Sequence, residues 1–351
     1  MTSRIPVTVL GATGVVGQRF VARLARHPLF ELAHLAASER SAGRRYRDAC
    51  AWRVTGAEPY GGLGERVLAP CDPAEAAGRI VFSALDADVA RELEPEFARA
   101  GALVFSNASA WRMEPDVALL VPEVNPDHLE LVAVQRARRQ WKGAIVCNPN
   151  CTTAVLALAL APLHQAFGVQ AVSMASLQAT SGAGYPGVAS LDILSNAIPF
   201  IRGEEEKVEA EANKLLGSLA GEVVRPAGFP VSAACHRVAV LDGHLLAVSV
   251  RLAGEPGPEA VREALEGWRG EPQRLGLPSA PPRPILVHEL EDRPQPRLDV
   301  EALGGMAVHV GRVRPCPVLG VRFSALGHNL ERGAAGGSVL NAELAQARGL
   351  V

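Results

Sequence analysis

The stretch VTVLGATGVVG, residues 7–17, decides the fold of this 351-residue chain. Its first four residues are an apolar run typical of a buried strand, and a helical pattern follows over residues 15–26. Between them, Gly11, Gly14 and Gly17 keep a G-x-x-G-x-x-G spacing. Such a turn lets a backbone approach a pyrophosphate at a helix N-terminus, which attracts anions. The stretch therefore predicts a dinucleotide-binding unit; the alternative is a glycine-rich turn without a ligand.

Strand-like and helical segments alternate through the first 150 residues. Further apolar runs occupy residues 32–37, 80–84, 103–106 and 145–147, and helical patterns such as residues 88–100 lie between them. This alternation is typical of a parallel sheet with right-handed crossovers. We therefore expect a Rossmann-type domain over residues 1–150.

The rest of the chain is richer in strands. An apolar helical pattern covers residues 151–167 and a helix with a charged face covers residues 203–219. Strand-like runs then follow at residues 238–241, 245–252, 285–289, 307–313 and 318–325. This order predicts an α+β domain with a mixed or antiparallel sheet over residues 151–328. The final helical segment, residues 329–351, is expected to complete the first domain.

The composition excludes several classes of function. Apolar residues make up 48% and charged residues 21%, as in globular proteins. The net charge of -2 gives no reason to expect nucleic acid or a membrane as partner. The six cysteines show no metal-binding spacing, so no metal is expected. Without a signal-peptide pattern, we expect reduced thiols and a cytoplasmic location.

The end of the second strand favours NADP over NAD. An acidic residue there would bind a ribose hydroxyl and repel a 2′-phosphate. Here the strand is followed by Ser38, Glu39, Arg40 and Ser41, and Arg44 comes soon after. The hydroxyls and guanidinium groups suit a phosphate, provided that the glutamate points away. The alternative is an ordinary solvated loop.

Cys151 is the candidate nucleophile. Pro149 keeps the preceding residue out of helical geometry, so the apolar helix starts near Asn150 or Cys151. A thiol in the first turn of a helix has a lowered pKa and an increased thiolate fraction. Asn150 can cap the helix or donate to a developing oxyanion. The alternative is a buried structural cysteine, which is the expectation for Cys147.

Residues 236–248 predict a hairpin around the Asp-Gly turn at residues 242–243. In a two-residue turn, Arg237 and His244 project to one face, about 13 Å apart at the backbone. Two long side chains over that span can converge on a small anionic substrate. The alternatives are a surface histidine and a solvated arginine.

Taken together, several motifs resemble aspartate-semialdehyde dehydrogenases of the archaeal and fungal type. They are the segments 11–17, 148–153, 177–184, 198–207, 237–244, 291–299 and 327–337. The resemblance covers nearly the whole chain. It implies an NADP-dependent reductive dephosphorylation of L-aspartyl 4-phosphate on the route to lysine, threonine and methionine. It also implies a catalytic and dimerisation role for the second domain, in a homodimer or homotetramer.

The resemblance assigns roles to residues of this chain. It implies a thioester on Cys151, acid/base chemistry by His244, orientation of the acyl group by Gln178, a carboxylate contact from Arg237, an amine contact from Glu204 and phosphate contacts from Lys207 and Arg112. The cofactor contacts expected from the glycine turn and the resemblance are Gly11, Thr13, Gly14, Val15, Val16, Ser38, Arg40, Ser41, Ser83, Leu85, Ser181, Gly182 and Asn329. One departure is His236, where relatives are expected to have asparagine.

Three alternatives remain open at this point. Malonyl-CoA reductase resembles the same family closely, and N-acetylglutamyl-phosphate reductase does so more distantly. Glu204 argues against both, because their substrates lack a free amine. A non-catalytic NADP-binding redox sensor is the alternative from another class of function.

Overall fold

The computed structural model describes residues 4–74 and 80–351. The chain divides into two compact units, which we describe separately. The first unit contains Met1–Leu120, Asp127–Asn148 and Ala334–Val351. The second contains Val121–Pro126 and Pro149–Gly333.

Parallel strands form the sheet of the first unit, in the order β3-β2-β1-β4-β5-β7-β6. The strands are β1 Ile5–Leu10, β2 Phe30–Ala37, β3 Ala69–Pro70, β4 Ile80–Ser83, β5 Leu103–Ser106, β6 Ala118–Leu119 and β7 Ala144–Cys147. Every residue of β4 and β5 is buried, as expected for strands covered on both faces. The predicted Rossmann-type sheet is confirmed.

Helices pack on this sheet through apolar side chains. They are α1 Val15–Leu24, α2 Tyr46–Ala49, α3 Ala87–Ala100, α4 Leu131–Arg139 and α11 Gly336–Ala347. Phe20 of α1 contacts Phe82 of β4, with tilted rings whose centroids lie 5.0 Å apart. The start predicted for the last helix, residue 329, is wrong, because Glu331–Ala335 forms a wider π-helical turn before α11.

The second unit is built on a mixed sheet with the order β14-β15-β16-β13-β8-β12-β9. Its strands are β8 Val169–Gln178, β9 Ala197–Ile198, β12 Val231–Val238, β13 His244–Leu252, β14 Ile285–His288, β15 Val308–Cys316 and β16 Gly320–Gly327; β10 Ser218–Ala220 and β11 Val223–Arg225 form a separate pair. The pairs β8–β12 and β14–β15 are parallel and the others antiparallel. Of the two predicted alternatives, the mixed sheet is confirmed.

One helix forms the centre of the second unit. The helices are α5 Cys151–Phe167, α6 Ser190–Ile193, α7 Glu204–Leu215, α8 Pro258–Gly267, α9 Glu271–Leu275 and α10 Pro296–Asp299. Residues 152–163 of α5 are all buried, and this helix contacts β8, β13 and α7. A helix that is apolar all round is a core helix. None of the helices in the described residues is long and apolar enough to cross a membrane.

The predicted hairpin of residues 236–248 is wrong. Strand β12 runs from Val231 to Val238, so residues 239–241 are not part of it. Strand β8 lies between β12 and β13 and pairs with both. The connecting residues instead cross the end of β8, where Thr180 and Ser181 donate backbone hydrogen bonds to Val240 and Leu241. The sequence could not reveal this insertion, because β8 lies more than fifty residues upstream.

A buried carboxyl in the first unit predicts a pH-dependent stability. Burial raises the pKa of Glu94 to about 7, although Ser106 donates a 2.7 Å hydrogen bond to it. The folded pKa exceeds the unfolded value, so this group costs stability as the pH rises from about 4.5 to about 7, by about 3 kcal/mol in full. We expect Glu94→Gln to raise the thermal midpoint by about 3 °C or more at pH 8.

The same comparison at pH 5 should show a much smaller difference, because the carboxyl is then protonated in the folded protein. Glu96→Gln, on an exposed face of the same helix, is the matched control. Equal effects of the Glu94 substitution at both pH values in differential scanning calorimetry would contradict the assignment.

Candidate active site

The glycine turn leaves no room for side chains. Gly11 has a φ of +71°, and a Cβ there would lie 2.7 Å from the carbonyl oxygen of Ala84. A Cβ on Gly17 would lie 2.1 Å from the carbonyl oxygen of Gly11. The turn follows β1 at the point where the strand order reverses between β2 and β4. Ligands of open α/β sheets bind in the crevice at this reversal.

The start of α1 is prepared for an anion. Gly14 is the N-cap of α1, so no side-chain oxygen of its own covers the first amides of the helix. Gln18 and Tyr46 fix the turn by donating hydrogen bonds of 3.0 Å and 2.8 Å to the carbonyl oxygens of Thr13 and Ala12. Sequence reasoning missed both residues, because their type carries no signal for this contact. The arrangement fits the pyrophosphate of a dinucleotide.

The loop after β2 presents its polar residues to solvent. Ser38, Glu39 and Arg40 are exposed, and Ser41 donates its backbone N–H to Ser38. Because these side chains are exposed, the loop has room for a 2′-phosphate, and the carboxylate of Glu39 is free to extend into solvent away from it. At the end of the neighbouring β4, Ser83 is buried and Leu85 half-buried. The predicted cofactor contacts of the first unit therefore lie at the carboxyl ends of β1, β2 and β4.

Cys151 is the first residue of α5 and is half-buried. The Oδ1 atom of Asn150 accepts the backbone N–H groups of Thr152 at 2.9 Å and Thr153 at 3.1 Å, which makes Asn150 the N-cap. The positive end of the helix dipole therefore acts on the thiol and favours the thiolate. A Cβ on Gly333 would lie 2.6 Å from the Cβ of Cys151, so only glycine fits there.

Two glutamates of α7 hold the N-cap residue in place. Asn150 donates its side-chain amide to Oε1 of Glu204 at 2.9 Å and its backbone N–H to Oε2 of Glu211 at 2.6 Å. The geometry shows the capping role of Asn150, and donation to an oxyanion stays a prediction, because the bond to Glu204 engages one of the two N–H groups of the amide. Glu211 was missed by sequence reasoning. The available signal was its spacing of seven residues from Glu204, which places both on one helix face.

His244 contacts the thiol from the first position of β13. Its Nε2 lies 3.2 Å from Sγ of Cys151, and its Nδ1 accepts the backbone N–H of Ala179 at 3.1 Å. Since Nδ1 accepts, the neutral ring carries its proton on Nε2, facing the sulfur. Burial lowers the pKa of His244 to about 3, with a further contribution from Arg237. The ring is therefore a neutral N–H donor at neutral pH.

Arg237 is a buried cation beside the same two residues. Its Nη1 donates to the carbonyl oxygen of Ala179 at 2.7 Å, and both Arg237 and His244 approach Gly182. Burial lowers the pKa of Arg237. Within residues 4–74 and 80–351, no carboxylate forms an ion pair with it. A buried guanidinium without a carboxylate partner suits an anionic ligand. Arg237 and His244 thus lie close together, as expected. They do so because β8 pairs with both of their strands, and not through a hairpin.

Glu204 uses one oxygen for structure and leaves the other available. Its Oε1 accepts hydrogen bonds from Asn150, from the hydroxyl of Thr152 at 3.3 Å and from Nε2 of Gln178 at 3.0 Å. No described residue donates a hydrogen bond to Oε2. Lys207 follows one turn later on α7 and is half-buried. The site thus combines a carboxylate oxygen of Glu204 with the guanidinium group of Arg237, and the phosphate contact of Lys207 stays a prediction.

Asn329 ties together the segments that carry His244 and Ser181. Its Oδ1 accepts the backbone N–H of Gly243 at 2.8 Å, and its Nδ2 donates to the hydroxyl of Ser181 at 2.8 Å. The contact of Asn329 with the cofactor stays a prediction, as do those of Ser181 and Gly182. Arg112 lies in the first unit, buried, and donates to the carbonyl oxygen of Asn107 at 2.8 Å.

Two groups of histidine and carboxylate side chains lie close enough together to bind a metal ion, but hydrogen bonds already occupy atoms that would have to act as ligands. The groups are His288, Asp299 and His309, and Asp242, Glu301 and His328. In the first, Arg293 and the backbone of Gln295 already donate to Asp299. In the second, Nδ1 of His328 accepts a backbone N–H, which places the proton on the nitrogen that would have to bind the ion.

Two family models match the chain. Residues 6–132 match the semialdehyde dehydrogenase NAD binding domain, and residues 160–332 match the semialdehyde dehydrogenase dimerisation domain. The aspartate-semialdehyde dehydrogenase of the archaeon Methanothermobacter thermautotrophicus is 52% identical over 97% of this chain and 98% of its own. The enzyme of the same name from the fungus Schizosaccharomyces pombe is 47% identical over 98% and 99%.

Solved structures agree with these matches. The structure of the Candida albicans aspartate-semialdehyde dehydrogenase with NADP superposes with a TM-score of 0.91 at 41% identity, covering 99% of this chain and 100% of that one. The Vibrio cholerae aspartate-semialdehyde dehydrogenase II gives a TM-score of 0.77 at 26% identity, with 99% of both chains covered. The resemblance inferred from the motifs is confirmed, and the chain belongs to the aspartate-semialdehyde dehydrogenase family of NAD(P)-dependent oxidoreductases.

Proposed function

We propose that this chain is an NADP-dependent aspartate-semialdehyde dehydrogenase that forms a thioester on Cys151. The observation that carries the proposal is the thiol at the start of α5, 3.2 Å from Nε2 of a neutral His244. The first unit binds the dinucleotide at its glycine turn, and the second unit carries the chemistry. In its metabolic direction the enzyme converts L-aspartyl 4-phosphate to L-aspartate 4-semialdehyde and phosphate.

The nucleophile acts first. The thiolate of Cys151 attacks the acyl carbon, and the bond to phosphate breaks with release of the anion, leaving a thioester. NADPH, when bound, supplies the hydride that reduces this thioester. The resulting oxyanion collapses to the aldehyde and returns the electron pair to the sulfur of Cys151. For His244, to which the resemblance assigns acid/base chemistry, the role we propose is that of a neutral N–H donor, whose Nε2 proton faces the sulfur and the developing oxyanion.

The substrate is held by the charges around the thiol. Arg237 is proposed to bind the α-carboxylate, since its buried guanidinium has unused N–H groups. The available Oε2 of Glu204 is proposed to accept the α-ammonium. Lys207 in the second unit and Arg112 in the first are each proposed as a phosphate contact. Gln178 is fixed by Glu204 and is proposed to orient the acyl group.

Assays with three substrates test the proposed function. Aspartate semialdehyde with phosphate and NADP should give phosphate-dependent NADPH formation. Malonyl-CoA should cause no oxidation of NADPH. N-acetylglutamyl semialdehyde with phosphate and NADP should form no NADPH. Neither compound carries a free amine for Glu204. Turnover with one of these and none with aspartate semialdehyde would reject the substrate assignment. Cofactor binding without turnover of any of them would favour the redox sensor.

Arg237→Lys is expected to raise the KM for aspartate semialdehyde about 10- to 100-fold, with a smaller effect on kcat. A lysine replaces a two-pronged contact by a single point charge. Steady-state kinetics at saturating NADP and phosphate measure this change. An unchanged KM for aspartate semialdehyde, or a change in the KM for NADP alone, would contradict a carboxylate contact. Arg202→Lys, just before α7, is the control.

We further propose that the protein is a homo-oligomer assembled through its second unit. That unit matches a dimerisation domain, and it exposes several large apolar side chains between residues 185 and 200. They are Tyr185 at 65%, Leu191 at 92%, Leu194 at 64% and Phe200 at 65% exposure. Contiguous exposed apolar side chains mark interaction surfaces. Sedimentation velocity should give a multiple of the 36.9 kDa chain mass and distinguish a dimer from a tetramer.

A further inference from the structure

Helix α7 takes the place of a neighbouring strand along part of β12. On one side β8 pairs with β12 over most of its length, whereas on the other side β9 reaches only the last two residues. Before that point, two backbone N–H groups of β12 are accepted by carboxylates of α7. Glu209 accepts the N–H of Ala233 at 3.1 Å, and Glu205 accepts the N–H of Cys235 at 2.9 Å.

The spacing of these two hydrogen bonds fits both elements. Glu205 and Glu209 are about one turn apart, roughly 6 Å along the helix axis. Ala233 and Cys235 are two residues apart, which is about 6.6 Å along a strand. Two matched contacts fix both the position and the direction of β12 against α7. Arg237 follows two residues after Cys235 on the same face of the strand, so these contacts also set its position.

A third glutamate of α7 fixes the helix that carries the nucleophile. Oε2 of Glu211 accepts the backbone N–H of Asn150 at 2.6 Å, and both residues are buried. Asn150 caps α5 and directly precedes Cys151. A negative charge beside a thiol disfavours the thiolate, so the carboxylate of Glu211 does not help Cys151 to ionise. Its contribution is to hold the first turn of α5 in place.

We propose that α7 is the positioning helix of the site and acts on two targets separately. Glu211 aligns the thiol of Cys151 through the N-cap of α5. Glu205 and Glu209 align the guanidinium group of Arg237 through β12. This inference rests on the proposed function, in which the thiol attacks the acyl group and the guanidinium group binds the carboxylate. A shift of α5 should therefore slow the attack, and a shift of β12 should weaken substrate binding.

Aspartate and glutamine substitutions separate the reach of these side chains from their charge. Aspartate keeps the charge but ends about 1.5 Å short of the N–H group that it should accept. Glutamine keeps the reach and an accepting oxygen but loses the charge. If position is what matters, each glutamine variant should stay close to the wild type and each aspartate variant should not.

Three measurements test the proposal: kcat, the KM for aspartate semialdehyde, and the rate at which iodoacetamide alkylates Cys151. We expect Glu211→Asp to lower kcat and the alkylation rate about tenfold each, with the KM within about twofold of the wild type. Glu205→Asp should raise the KM about fivefold and leave the alkylation rate unchanged. Glu211→Gln and Glu205→Gln should stay within about threefold of the wild type in all three measurements.

Glu206→Ala, at an exposed position of the same helix, is the matched control and should equal the wild type. Fluorescence titration with NADP counts the folded molecules, so each rate refers to folded protein. Alkylation needs no substrate, so it tests the role of Glu211 even if aspartate semialdehyde is not turned over. A wild type without turnover but with slowed alkylation in Glu211→Asp alone would reject the proposed function and keep this role.

Two results would overturn the positioning roles. Glu211→Asp and Glu205→Asp may show the same pattern, with kcat, KM and alkylation changed together. In that case α7 supports the fold as a whole and does not act on two targets. Alternatively, the aspartate variants equal the wild type and the glutamine variants are impaired. The charge of the carboxylates, and not their reach, would then be what the site needs.

Discussion

Replacing Cys151 by alanine is expected to lower kcat for phosphate-dependent NADP reduction by about 10⁴-fold or more, because no other group can form the acyl intermediate. The thiol lies at the N-terminus of α5 and contacts His244 at 3.2 Å. Removal of a nucleophile takes away the covalent route and not substrate affinity. The variant should therefore turn over too slowly for KM values to be measured, while its affinity for NADP stays that of the wild type.

Initial rates measure the loss, and fluorescence titration measures retention of NADP. Cys50→Ala, which removes a half-buried free thiol of the first unit, is the matched control and should keep turnover. Iodoacetamide should inactivate the wild type with one equivalent on Cys151, and NADP with phosphate should not restore activity. Turnover of Cys151→Ala within tenfold of wild type would end the thioester proposal.

Local sequence patterns predicted two parts of the candidate site, the glycine turn and the helix start at Cys151. The glycine turn and the first helical turn at Cys151 are set by neighbours within a few residues. Gly11 needs its positive φ and its close approach to Ala84, and Pro149 sets the start of α5. Such constraints appear in any short window of sequence. The helix Cys151–Phe167 was also predicted correctly, because the apolar run is too long for a strand.

Strand order and long-range contacts could not be predicted in this way. The position of β8 between β12 and β13 depends on pairing across more than fifty residues, and the Asp-Gly pair imitates a hairpin turn. The bond between Glu211 and the backbone of Asn150 spans 61 residues, and the acceptor for Ala179 is a histidine 65 residues away. The residue types alone do not reveal either contact. The tautomer of His244 depends on the second contact, so it could not be predicted from the residues around His244 in the sequence.

That tautomer gives the second large expected effect. His244→Ala should lower kcat by about 10²- to 10³-fold, because it removes the Nε2 proton that faces the sulfur and the developing oxyanion. His244→Gln should recover about tenfold over alanine, since its amide supplies an N–H donor of similar reach. A group that works only by accepting and returning a proton would not be replaced by an amide.

The pH dependence separates these two modes. Burial, with Arg237 nearby, lowers the pKa of His244 to about 3, so the ring stays neutral as the pH rises from 5.5 to 8.5. Free phosphate titrates identically in the two assays, and both His244 and the glutamine place an N–H donor beside the sulfur of Cys151. The ratio of kcat/KM between the two proteins should therefore be constant over this range. A ratio that changes about tenfold near pH 6.5, where an unperturbed histidine titrates, would show proton transfer by a charged ring. In that case the hydrogen bond from Ala179 would have to break during each turnover, because both ring nitrogens of a charged histidine are donors.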